Sequence, residues 1–324
     1  MNDGTLLKYA FSGSSVIFGV TDFWAITRDP DVHARAAAAG KQVNVLAYEI
    51  EVQQGRNIVE AANATLETLD RLVLSTLSAT KKWSKGKYLN NYHFDAKWEA
   101  VEYLKANYPE LDKKTSYLQM AFYYTNGKEF AGAGLPFGRP VKVSGQGRLV
   151  CANDGINAQQ QSDGTYVLSI PGDPHSPIAQ VDARKDTGKT PTSPYPSSYH
   201  TDAAQGKFTR ALLDVPAGVN ALGAGAIISW TEFATLWGKH HGVECRAERL
   251  DRRAFEEAIP GGIGAEMADM FEYAAEFGYT GGDPTVVLPQ DVRTTESLCR
   301  VVANGIITAR RPCPCCHCGG IHQD

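Results

Sequence analysis

Short apolar runs that alternate with segments of helical spacing constrain this chain most. Val16-Ile17-Phe18-Gly19-Val20, closed by Thr21 and Asp22, reads as a buried strand of a parallel sheet. Leu72-Val73-Leu74, ending in Ser75-Thr76, and the run from Tyr117 to Tyr123 read as two more. Between them, residues 51 to 70 place Ile58, Ala62, Leu66 and Leu69 near helical spacing. Lys97 to Tyr108 carries Trp98, Val101 and Leu104 on one stripe. Strands alternating with helices imply βαβ units and an α/β fold built on a parallel sheet.

The later half is more mixed. Ser229-Trp230-Thr231-Glu232 is a capping-box pattern, followed by an apolar stripe of Phe233, Ala234 and Trp237 and a stop at Gly242. A second amphipathic helix is expected from Gly264 to Phe277, with Met267, Met270, Phe271 and Ala274 on its core face. Three stretches break the pattern: 143–160, 189–205 and the tail from about Arg293.

Composition excludes several classes. The net charge is −4 with no basic block, so direct nucleic-acid binding is not expected. No run of about 18 apolar residues occurs, so no membrane span is expected. The first residues lack an apolar signal core, and a location in the cytoplasm or nucleus is expected. Five of the seven cysteines lie in the tail (Cys299, Cys313, Cys315, Cys316, Cys318), which is not a disulfide framework. Crowded after Pro312 with His317 and His322, they do not form the two separated ligand pairs of a zinc knuckle, and no metal is expected.

Several motifs, in order, resemble those of NmrA-like proteins, a branch of the atypical short-chain dehydrogenase superfamily, and fungal members above all. Phe18-Gly19-Val20-Thr21-Asp22-Phe23-Trp24 is similar to their strand-end motif, and Gln54-Gly55-Arg56-Asn57-Ile58 to the helix after it. Gly86-Lys87-Tyr88 with His93-Phe94-Asp95-Ala96-Lys97 resembles their active-site segment. Asp163-Gly164-Thr165-Tyr166, Gly172-Asp173-Pro174, Asp186-Thr187-Gly188, Ser229-Trp230, Phe277-Gly278-Tyr279 and Gly281-Gly282 resemble landmarks of their C-terminal lobe. The resemblance runs from about Leu6 to Asp291.

It implies an incomplete Rossmann-type sheet over 1–126, followed by a smaller mixed α/β lobe over 127–292; the Cys-rich tail over 293–324 lies beyond it and reads from its own composition as disordered or frame-shifted. The family opens with a strand, a glycine-rich turn and a helix whose backbone amides hold the pyrophosphate. No such turn appears here, so the first strands are expected to be missing, and the chain as written is expected to bind NADP or NAD poorly. Segments 143–160 and 189–205 interrupt family-like sequence. They read as retained introns of a faulty gene model or, alternatively, as tolerated surface loops.

The resemblance also nominates a site. Its pattern is a Ser on a strand, then a Tyr and a Lys one helical turn apart. Here Ser75 or Thr76 stands first, His93 replaces the Tyr, and Lys97 follows, so His93 and Lys97 share a helix face. The catalytic candidates are therefore His93, Lys97 and Ser75. Thr21, Asp22, Phe23, Lys97, Tyr123 and Asn126 are candidate cofactor contacts, because ligands of open α/β sheets sit beyond strand carboxyl ends. Two functions follow. One is an NAD(P)-linked oxidoreductase that transfers hydride to a carbonyl or conjugated double bond of a small-molecule substrate, with fungal secondary metabolism as the setting the resemblance suggests. The other is a non-catalytic NAD(P)-sensing regulator that binds a partner protein; the missing Tyr favours it, whereas the family label favours the first, and an inactive product of a faulty gene model is a third reading.

Overall fold

The structure is a computed structural model and describes residues 1–123, 126, 159–181 and 201–288. Its centre is a five-stranded, wholly parallel sheet in the order β1-β2-β3-β8-β11. These strands are Val16–Gly19 (β1), Arg71–Thr76 (β2), Thr115–Met120 (β3), Asn220–Gly223 (β8) and Val286–Val287 (β11). Among the described residues β1 has no second neighbour, and Val16 on it is exposed.

β2 shows why these apolar runs become strands. Its register pairs Leu72 with both Ile17 and Thr115, so it is sandwiched within the sheet and buried along nearly its whole length. Its side chains alternate between faces. Leu72 and Leu74 join Ile17, Ile58, Val101 and Leu104 on one side, while Val73 joins Phe94, Leu118 and Phe271 on the other. Burial on both faces accounts for a continuous apolar run.

The helices along this part are Gly4–Phe11 (α1), Phe23–Arg28 (α2), Pro30–Ala38 (α3), Val43–Asn63 (α4), Thr80–Trp83 (α5), Tyr92–Asn107 (α6) and Pro109–Asp112 (α7). Two begin earlier than their apolar stripes predict: α4 by eight residues and α6 by five, counted from 51 and from 97. α4 and α6 pack closely at Gly55, where an added Cβ would stand 2.7 Å from Ala100 Cβ.

The strand expected over Tyr117–Tyr123 divides at Ala121. Beyond β3, Phe122–Tyr123 (β4) joins a different sheet, paired with Pro177–Val181 (β7), which in turn pairs antiparallel with Ala226–Ser229 (β9). A third sheet contains Gln159–Gln160 (β5), Tyr166–Ile170 (β6) and Cys245–Arg249 (β10). The remaining helices are Thr201–Leu213 (α8), Trp230–His241 (α9), Arg252–Ala258 (α10) and Ile263–Phe277 (α11). The capping box at Ser229 and Glu232 starts α9, and Gly242 ends it in the left-handed region at φ 67°. Since β8 and β11 lie in the first sheet, a division of the chain at residue 126 cuts across that sheet. The end of segment 143–160 is paired with β6, and 201–205 form the first turn of α8. The rest of both segments, and the tail from 293, lie outside the described residues. Among the described residues no helix is long and apolar enough to cross a membrane.

Candidate functional site

The turn after β1 carries Thr21, Asp22 and Phe23. α6 brings His93 and Lys97 to it, α4 brings Asn44 and Glu51, and α11 brings Glu266. Two polar clusters result, one helical turn apart on α6.

The first is built on Lys97. Its Nζ donates to Thr21 O at 2.6 Å, Thr21 Oγ1 at 2.9 Å and Glu51 Oε1 at 2.6 Å. An ammonium has three donors, and these contacts account for all of them. Thr21 Oγ1 donates in turn to Glu51 Oε1 at 2.6 Å. Glu51 is fully buried, and the Lys97 side chain is 12% exposed. A buried carboxylate needs such a partner, because an isolated buried charge is far more costly than a paired one. The second oxygen, Glu51 Oε2, is buried without a partner.

The second cluster is built on His93. Its ring Nδ1 lies 2.8 Å from Glu266 Oε1, and its backbone N–H donates to the same oxygen at 2.7 Å. Asn44 Nδ2 donates to Glu266 Oε2 at 3.2 Å and to Gly262 O at 3.1 Å. The imidazole is packed among Trp24, Phe94 and Phe23, with ring centroids 4.9, 4.9 and 5.8 Å away. Burial pushes the His93 pKa down to about 3, and the nearby Lys97 charge adds to the effect. Burial pushes the Glu266 carboxyl well above the usual range, against the pull of its bonds from His93 and Asn44. Both shifts favour the uncharged forms, a neutral imidazole and a protonated carboxyl.

The other nominated residues are placed as follows. Asp22 caps α2, with its Oδ1 accepting from Ala25 N at 3.0 Å. Phe23 is 1% exposed in a core with Ile26, Val32 and Leu46. These two perform local structural work, as cap and core residue. Ser75 is buried in β2 opposite Leu118, and no hydrogen bond joins it to His93 or Lys97. Tyr123 ends β4 beside Val181; burial pushes up the pKa of the Tyr279 phenol, and Tyr123 adds to the effect. Asn126 is half-buried. The structure therefore brings together Thr21, His93 and Lys97, and it adds Asn44, Glu51 and Glu266, which the sequence reading missed. Their signal was faint: polar residues on otherwise apolar helical faces, with Asn44 and Glu51 two turns apart. Among the described residues no group of three or more His, Cys, Asp or Glu is placed to hold a metal ion.

No family model matches the sequence, and no curated relative matches it. Solved structures do share the fold. One is NmrA, a negative transcriptional regulator, in complex with NADP: 13% identity and TM-score 0.56 over 94% of this chain and 74% of that one. Its complex with NAD aligns over the same shares at 13% identity and TM-score 0.54. Leucoanthocyanidin reductase of Vitis vinifera, in a binary complex with NADPH, aligns at 10% identity and TM-score 0.50 over 91% of this chain and 79% of that one. At such identities the likeness establishes the fold: α/β, with a mostly parallel central sheet.

Proposed function

We propose that this chain is an NmrA-like nucleotide-responsive regulator. It takes the ribose–nicotinamide part of NADP or NAD at the carboxyl end of its central sheet, and it signals to a partner protein without turning the nucleotide over. His93 carries this reading. It stands where the dehydrogenase pattern has its proton-transferring Tyr, yet it is buried, neutral at pH 7 and engaged with Glu266. A hydride acceptor such as a carbonyl needs an acid at the right place, and an imidazole with its pKa near 3 is not protonated to serve as one. The cluster of Thr21, Lys97 and Glu51 keeps an unpartnered carboxylate oxygen, which fits a hydroxyl group better than a phosphate, because the carboxylate would repel an anion. Nicotinamide nucleotides bound in NmrA and in the Vitis reductase, two structures of this fold, support the choice of ligand. The test is calorimetric titration with NADP(H) and NAD(H), alongside assays of NADPH oxidation with aldehyde, ketone, enone and quinone acceptors. Weak binding without oxidation is expected, since the sequence shows no glycine-rich turn to hold the pyrophosphate; steady turnover with any acceptor sinks the regulator reading.

One observation favours the oxidoreductase alternative. Burial favours the protonated form of Glu266 beside the His93 ring, the form that a proton relay through the imidazole requires. In that case the substrate is a small carbonyl or enone, and Glu266→Gln abolishes turnover while leaving nucleotide binding in place.

A further inference from the structure

We infer that Glu51 is a ligand-binding residue, and that the free oxygen of its buried carboxylate accepts a hydroxyl from the nicotinamide-side ribose. This rests on the nucleotide reading above and adds a residue and a chemical preference to it.

Glu51 is fully buried at the middle of α4, and its two oxygens are used unequally. Oε1 accepts from both Lys97 Nζ and Thr21 Oγ1 at 2.6 Å, whereas Oε2 is buried with no partner. A buried acceptor left unpaired is unfavourable, and native structures rarely keep one without a use. The Lys97 ammonium lies against the carboxylate at 2.6 Å, and a carboxylate paired in this way acts only as an acceptor. Such an oxygen selects a donor. A phosphate or carboxylate is repelled by it, an ether or carbonyl gains nothing, and a hydroxyl fits. Lys97 keeps partial exposure where Glu51 keeps none, and Thr21 lies just past the carboxyl end of β1, where open α/β sheets take their ligands.

The pair is also held ready. Gly55, one turn along α4 from Glu51, lets that helix approach α6 at Ala100, one turn along from Lys97. The carboxylate is therefore positioned before a ligand arrives, and its hydrogen bond to a sugar costs little reorganisation. Lys97 then acts mainly through Glu51, by fixing its charge and orientation.

The probe is nicotinamide mononucleotide, which carries the ribose without the rest of the dinucleotide, with binding followed by ligand-observed NMR. Wild type is expected to bind it, and Glu51→Gln, which keeps the shape and loses the charge, to weaken it about ten- to hundred-fold. The 2′-deoxy and 3′-deoxy analogues are titrated as well. One of them should bind wild type more weakly by a similar factor and lose nothing further in Glu51→Gln. Removing a hydroxyl from the ligand leaves the protein untouched, so the deoxy series decides the matter in wild type even if Glu51→Gln does not fold. Equal binding by the parent compound and both analogues overturns the role of Glu51 and leaves the nucleotide reading standing. No binding of the parent compound to wild type overturns both.

Discussion

Glu266 Oε1 receives two contacts from one residue, the backbone N–H of His93 at 2.7 Å and its ring Nδ1 at 2.8 Å. The His93 N–H is one of the first-turn donors that a helix cannot satisfy internally, so a side chain 173 residues away completes the start of α6. The contact belongs to a seam. Glu266, Asp269, Tyr273 and Glu276 follow one another at helical spacing along α11 and bond to His93, Asn90, Ser78 and Tyr88 respectively. The segment carrying the candidate site is thus fastened to the long helix of the later half.

The burial of His93 makes stability depend on pH. Its pKa is 6.5 when unfolded and about 3 when folded, so the folded state binds fewer protons between those values. Its contribution is fully present above pH 6.5 and is lost as pH falls towards 3, with a slope approaching about 1.4 kcal/mol per pH unit. Glu266 acts in the opposite sense, because it holds its proton more tightly when folded. Comparing urea unfolding of wild type and His93→Gln at stepped pH isolates the histidine. The variant is expected to lose stability less steeply on acidification; parallel curves would show that His93 is not buried neutral.

Asp95 has the reverse signature. Burial raises its pKa to about 7, against the bond it accepts from Lys81 N–H at 3.1 Å. A raised folded pKa gives stability that is present below the unfolded value of 3.8 and is lost as pH climbs through 7. Asp95→Asn should flatten that decline, which thermal melts from acid to mildly alkaline pH would show. An unchanged profile in the variant would place Asp95 in solvent.

Gly55 is required by packing. Alanine there gains about 1 kcal/mol of helix propensity, but its Cβ would lie 2.7 Å from that of Ala100, and overpacking costs about 1–3 kcal/mol. Gly55→Ala is expected to lower the melting temperature, and Ala100→Gly in the same chain to restore part of it. A stabilised single variant would mean that α4 and α6 separate freely.

Lys97 tests the buried pair from the other side. Lys97→Ala leaves the Glu51 carboxylate buried without its cation, a change that costs about 3–5 kcal/mol. Lys97→Met combined with Glu51→Leu removes both charges and is expected to cost much less, as read from urea midpoints. Equal losses in the two chains would show that the pair contributes through shape alone.

The sequence by itself determined the α/β class, the apolar strands at Val16, Leu72 and Tyr117, the capping box at Ser229 and the α11 stripe. These are local signals, since burial on both sheet faces demands an apolar run and a helix end demands a cap. It also placed His93 and Lys97 on one turn of α6. What each does there was decided by residues far along the chain. Glu51 makes Lys97 half of a buried ion pair, and Glu266 makes His93 a neutral link to α11. No local pattern reports such a partner, because a single acidic residue on an apolar stripe reads as a surface charge until folding excludes water from it. The division of Tyr117–Tyr123 between two sheets was undecided for the same reason: strand propensity is local, whereas the partner of a strand is chosen by the whole chain. Asp22 and Phe23 show the converse. Their place after a strand end marked them as ligand contacts, and only the start of α2 and the core beneath it made one a cap and the other a buried ring.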